Sequence, residues 1–324
     1  MRIPIVFTLA VTLQTSCFAG FVDQLGGRWD AAPRVISGNE RSLDGGLRYA
    51  VEGGTYQAYR DRFAWTSVPS VSSFEQAVNQ SFNAWTTVDP VSGFGTSLRF
   101  KSNNSTAIVR GVGFGSLNIN GAEIDLLASD AGVGGLGGLT SVAYFGTPVM
   151  LTSGVANYSH SISIQGVDLH MNSNPQAVYS LDAFRRILTH EIGHAIGLGD
   201  VDLGGSYLDD NYSSANPVGT LTNSWAALVN PLDPANSAGL SQFSVPAANF
   251  ALNGVDILME SNGLGVSGSN PLSNLVPLRN DDYGMRQYLY PTAVPEPSSM
   301  ALFGLIVLGF LRVRQRKSRF EKMV

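Results

Sequence analysis

The segment His190-Glu191-Ile192-Gly193-His194-Ala195-Ile196-Gly197-Leu198-Gly199-Asp200 carries the densest chemistry in the chain. Two histidines at positions i and i+4 of a helix lie one turn apart on the same face, so their imidazoles can reach one ion. Glu191 follows the first histidine and can take a proton from a metal-activated water as general base. The helix must then stop so that the chain can fold back and offer a third ligand. Gly197 permits that turn, and Asp200 stands six residues after His194, where the third ligand is due. Asp202 is a nearby rival for that position. The pattern predicts zinc held by His190, His194 and Asp200, with Glu191 catalysing hydrolysis.

A helix has to present these side chains, and its signals are on either side of them. Ser180 is an N-cap, and Asp182 falls in the first turn, where a carboxylate suits the helix dipole. Leu181, Phe184, Ile187, Leu188, Ile192 and Ala195 form an apolar stripe, and Gly197 ends the helix. A second helix is expected from Ser72 to Val88, with Ser72 and Glu75 at capping-box spacing and Phe74, Ala77, Val78, Phe82 and Trp85 on one face. Leu47–Val51, Leu98–Phe100, Ile108–Val109, Ile124–Leu126 and Val167–Leu169 read as strands. The glycine-rich stretch from Gly132 to Gly138 and most of Asp202–Phe250 read as loop.

The histidine segment resembles the metzincin signature HExxHxxGxx(H/D). Matrixins within that group have a third histidine where this chain has Asp200, the variant of snapalysin-like members. A carboxylate there lowers the charge of the site by one relative to an imidazole. Two further segments extend the resemblance. Ile257-Leu258-Met259-Glu260 looks like the Met-turn, in which a methionine packs beneath the metal without bonding to it. Asn280 to Tyr290 looks like the closing matrixin helix with its DDxxGxxxLY pattern. Asp281, Asp282, Leu289 and Tyr290 match, and Gly284 falls one position early. The aspartates of that helix are implied to tie it to the Met-turn. Trp85 matches the first matrixin helix in kind and order.

The resemblance implies an α+β fold: a metzincin-like catalytic domain with a twisted mixed sheet, a zinc-binding active-site helix and a C-terminal helix after a Met-turn. It implies an exported zinc metalloendopeptidase acting on proteins or peptides. Matrixin latency through a cysteine is not expected, because Cys17 is the only cysteine. His160 and His170 are the other two histidines and read as ordinary loop or strand residues. The competing reading is a non-enzymatic exported surface or matrix protein with a structural metal. Glu191 speaks against it, since a structural site has no use for a base and would close its fourth position with a protein ligand.

Both ends read as address labels. Arg2, the apolar stretch Ile3–Leu13 and the small residues around Ala19 form an export signal over 1–19, cleaved before Gly20. Cys17 would leave with it, so the mature chain can form no disulfide. At the other end, Val294-Pro295-Glu296-Pro297-Ser298 precedes an apolar run, Met300–Leu311, and a basic cluster of Arg312, Arg314, Arg316, Lys317 and Arg319. This order resembles a PEP-CTERM sorting signal over 292–324, which implies an exosortase-type partner and transient anchoring in the inner membrane. A plain transmembrane anchor is the alternative, although the run is shorter than the roughly 20 residues a spanning helix uses.

The domain between, 20–291, is acidic. The whole chain carries −5; the leader holds one arginine, and the tail six basic against two acidic residues, leaving the domain at about −10. That balance excludes nucleic acid as an expected partner and leaves carboxylates that could bind calcium beside the zinc. At 44% hydrophobic and 14% charged, the chain can bury a sizeable core.

Overall fold

The structure is a computed structural model. It describes residues 27–31, 33–36, 38–88, 95–106, 108, 121–130, 137–145, 162–200, 205–209, 213, 215–216, 241–245, 258–259, 278 and 280–290. The chain divides into two units, Met1–Thr292 and Ala293–Val324. The second unit and the expected leader lie outside the described residues, as do Asp202 and His160.

Among the described residues the elements follow one another as β1 (Gly27–Arg28), β2 (Val35–Ile36), β3 (Asn39–Glu40), β4 (Leu47–Val51), α1 (Tyr56–Arg60), β5 (Ala64–Trp65), α2 (Val71–Ala84), β6 (Phe100–Ser102), β7 (Ile124–Ser129), β8 (Gly138–Phe145), β9 (Ile162–Asn172), β10 (Val178–Tyr179), α3 (Leu181–Ala195), β11 (Gly205–Asp209), β12 (Ser241–Val245) and α4 (Asn280–Leu289). The main sheet is mixed and mostly parallel, in agreement with the α+β expectation. β6, β4, β7 and β9 run parallel in that order. β8 lies antiparallel on the far side of β9. Ser163 pairs with Arg28 of β1 on one side and Phe145 of β8 on the other, so β1 shares an edge of β9 with β7.

Strand alternation decides which residues reach the helices. Ile124, Leu126 and Ala128 of β7 and Val167, Leu169 and Met171 of β9 join the apolar core. The opposite face is also buried: Glu123, Asp125, Asp168 and His170 are each at most 6% exposed. Burial on both faces is the usual condition of parallel strands. Against the first face, Phe74 of α2 and Phe184 of α3 pack within a cluster of Tyr59, Phe63, Trp65 and Tyr179.

Several expectations need correction. α2 begins at Val71, and its cap is Ser70, whose Oγ accepts the Ser73 N–H at 3.1 Å; the Ser72 hydroxyl bonds Ser70 instead. Ser70 follows Pro69 and is extended, so the helix starts ahead of its first fully buried side chain. It stops at Ala84, before Thr86, Thr87 and Val88, whose β-branched side chains resist continuation. Its neighbour β6 starts at Phe100, two residues later than expected, and Ile108 is not in a strand. Gly138 opens strand β8. Within the presumed loop 202–250, β11 and β12 pair antiparallel from Gly205↔Val245 to Asp209↔Ser241.

Candidate metal centre

Helix α3 is built as its sequence indicates. Ser180 Oγ accepts the Ala183 N–H at 3.1 Å, and Asp182 sits in the first turn. At the other end Gly197 takes φ +97°, allowing its own N–H to bond the His194 carbonyl and the Leu198 N–H to bond the Gly193 carbonyl, both at 2.9 Å. This is the paired closure that glycine makes possible at a helix C-terminus. A side chain on Gly197 would also collide with the Gly27 carbonyl of β1. The turn carries the chain back so that Asp200 faces the two histidines.

The three donors converge. His190 Nε2 and His194 Nε2 are 3.0 Å apart, and Asp200 Oδ1 lies 3.0 Å from the first and 3.2 Å from the second. The outward nitrogens are held by backbone: His190 Nδ1 donates to the Leu258 carbonyl at 2.7 Å, and His194 Nδ1 to the Leu198 carbonyl at 2.9 Å. A carbonyl can only accept, so each Nδ1 carries a proton and each ring turns its Nε2 inward. Asp200 Oδ1 makes no hydrogen bond of normal geometry despite its two close nitrogens. Three lone-pair donors crowded this closely repel one another unless a cation lies among them. Two nitrogens and a carboxylate oxygen are a donor set suited to zinc, and these three residues could hold a metal ion.

The electrostatics agree. Burial depresses the basicity of both imidazoles, yet the Asp200 carboxylate outweighs it, raising the His190 pKa and bringing that of His194 up to about 9. Burial alone would raise the Asp200 pKa, but the two imidazoles draw it well below the usual carboxylate range. The site is therefore one that demands positive charge.

Neighbouring elements hold α3 along its length. Trp85, at the C-cap of α2, donates Nε1–H to the Thr189 carbonyl at 2.7 Å, directly before His190. Past the second histidine, Trp29 Nε1 donates to the Ala195 carbonyl at 3.0 Å and Tyr290 Oη to the Ile196 carbonyl at 2.6 Å. Met259 is fully buried, and its thioether lies against Gly193, between the two histidines in sequence. Asp282 of α4 accepts the N–H of Leu258 at 2.9 Å and of Met259 at 3.2 Å, tying the closing helix to the methionine segment.

Glu191 is buried and points toward β8. Its Oε2 accepts from Thr140 Oγ1 at 2.7 Å, and its side chain runs alongside Gly138. Neither β8 residue was expected at the site. Gly138 ends the glycine-rich stretch that reads as loop, and Thr140 lies just beyond it with no motif of its own. The Leu258 carbonyl was likewise invisible, because a backbone acceptor leaves no trace in residue identity.

Comparison with known families matches residues 293–317 to the PEP-CTERM protein-sorting motif. No curated protein matches the chain. The motif marks this as an exported chain addressed to the cell envelope through an exosortase-type sorting enzyme. Among the described residues no helix is long and apolar enough to cross a membrane, and the apolar run Met300–Leu311 lies outside them.

Proposed function

We propose that the chain is an exported zinc-dependent endopeptidase with a metzincin-like catalytic domain. The observation that carries this reading is the convergence of His190 Nε2, His194 Nε2 and Asp200 Oδ1, with both rings fixed by backbone carbonyls and Glu191 next in sequence to the first. The mixed sheet, the buried Met259 under the histidine helix and the Asp282 tie from the closing helix support it further.

His190, His194 and Asp200 would hold the zinc through those three atoms. When bound, zinc acts as a Lewis acid toward a scissile carbonyl and acidifies water. Glu191 takes the proton of the attacking water and then delivers it to the departing amine nitrogen, so one carboxylate serves as base and acid in turn. The Leu258 and Leu198 carbonyls keep the rings in the tautomer that presents Nε2. Burial of the Asp200 and Glu191 side chains removes competing water from both carboxylates.

The test is zinc content and cleavage of denatured casein by the purified exported protein. The expected result is about one zinc per chain, chelator-sensitive cleavage, and a Glu191→Gln variant that keeps zinc and cleaves nothing. A wild type that retains zinc without cleaving any of a broad peptide library would leave a structural metal site in its place. Substantial activity in Glu191→Gln would remove Glu191 from its role.

A further inference from the structure

Strand β8 bears on Glu191 through two residues of one face. Gly138 and Thr140 are two positions apart, so both turn toward α3. Thr140 is 5% exposed, and its hydroxyl lies 2.7 Å from Glu191 Oε2 and 3.1 Å from the Glu191 carbonyl. A hydroxyl has one proton, and the shorter contact to a charged acceptor takes it. At Gly138, even a methyl group would come within 2.5 Å of Glu191 Cγ and Oε1 and 2.6 Å of Cδ. One residue thus ties down a carboxylate oxygen, and the other leaves the space through which the side chain runs.

We infer that Thr140 and Gly138 are positioning residues for Glu191, fixing its carboxylate by one hydroxyl contact on Oε2 while Oε1 remains for proton transfer. This rests on the peptidase reading above. An unheld glutamate has three side-chain torsions to order before it can act. A buried partner that restricts them lowers the barrier to proton transfer without touching substrate or metal. Val at position 140 keeps the β-branched shape and removes only the hydroxyl; Ser keeps the hydroxyl and removes only the methyl.

The experiment compares wild type, Thr140→Val, Thr140→Ser and Gly138→Ala as purified exported proteins. The activity probe is a quenched-fluorescence peptide chosen from wild-type casein cleavage products. Thr140→Val should lose ten-fold or more in kcat with KM and zinc content unchanged. Thr140→Ser should return to within about three-fold of wild type, and Gly138→Ala should resemble Thr140→Val. Crystals of the zinc-free proteins provide a readout independent of turnover: the Glu191 carboxylate should leave β8 in Thr140→Val and stay in Thr140→Ser. An active wild type with an unimpaired Thr140→Val, or a Thr140→Ser as impaired as Thr140→Val, overturns this inference alone. A wild type that cleaves nothing overturns the peptidase reading and this inference with it.

Discussion

Asp282 and His190 act on opposite sides of one peptide segment: the carboxylate accepts the Leu258 N–H at 2.9 Å, while the Leu258 carbonyl accepts from His190 Nδ1 at 2.7 Å. The closing helix therefore orients a candidate metal ligand through a single residue. Asp282→Ala leaves two buried N–H groups without their acceptor, each costing about 1–3 kcal/mol. It also frees the carbonyl that sets the His190 tautomer. Zinc affinity, measured by chelator competition, should fall about 10–100-fold, the usual range for losing an outer-shell partner. Unchanged affinity would show that the Leu258 carbonyl holds its place without α4.

Gly193 lies between Met259 and Trp85, so closely that a methyl group there would overlap the Met259 thioether and approach Trp85 Cζ2 at 2.8 Å. Alanine is the better helix former by about 1 kcal/mol, but overpacking a dense core costs about 1–3 kcal/mol. Gly193→Ala should therefore lower the midpoint of thermal unfolding, despite its helix propensity. Met259→Leu is nearly volume-conserving and should cost less than about 1.5 kcal/mol. It should retain zinc, because Met259 supports the floor of the site and offers it no donor. Zinc loss in that variant would give the sulfur a role that packing does not explain.

How much of this was legible follows from where the determinants sit. The bounds of α3, its Ser180 cap and its Gly197 closure were readable, because cap chemistry and a 3.6-residue stripe are local. Likewise β4 matches its expected span, Leu47–Val51. The cap of α2 was misplaced by two residues because Ser70, Ser72 and Ser73 compete, and only the folded backbone decides among them. β8 was missed because its sequence, Gly138–Phe145, mixes polar and apolar residues on both faces. Thr140 meets a carboxylate where a sequence reader would expect core. The β11–β12 pairing joins segments more than thirty residues apart, a relation that no local pattern announces.

Asp200 and Asp202 make a decisive pair. Asp200 stands 3.0 and 3.2 Å from the two imidazoles, and Asp202 lies outside the described residues. Asp200→Ala should abolish stoichiometric zinc at sub-micromolar free metal, whereas Asp202→Ala should keep it. Elemental analysis after dialysis checks both. Zinc loss confined to the Asp202 variant would transfer the ligand role to that residue.

Asp125 gives the fold a pH dependence that is separate from the candidate metal centre. It is 1% exposed on β7, directly paired in register with Asp168 of β9. Burial pushes its carboxyl up to about 7 from an ordinary value of 3.8; the Ala122 N–H and the Arg41 guanidinium oppose the rise, and Glu123 adds to it. The folded chain thus keeps a proton that the unfolded chain releases above about pH 4. Its contribution is fully present below the unfolded value and is lost as pH rises toward 7. Each tenfold change in proton affinity is worth about 1.4 kcal/mol, so the loss across this window amounts to a few kcal/mol. Asp125→Asn resembles the protonated form at every pH and should flatten that decline. Urea unfolding of wild type and variant at pH 4.5, 6 and 7.5 measures it. The expected outcome is an Asn variant whose advantage over wild type grows with pH. An advantage that stays constant from pH 4.5 to 7.5 would mean that Asp125 is already ionised throughout, held by Arg41.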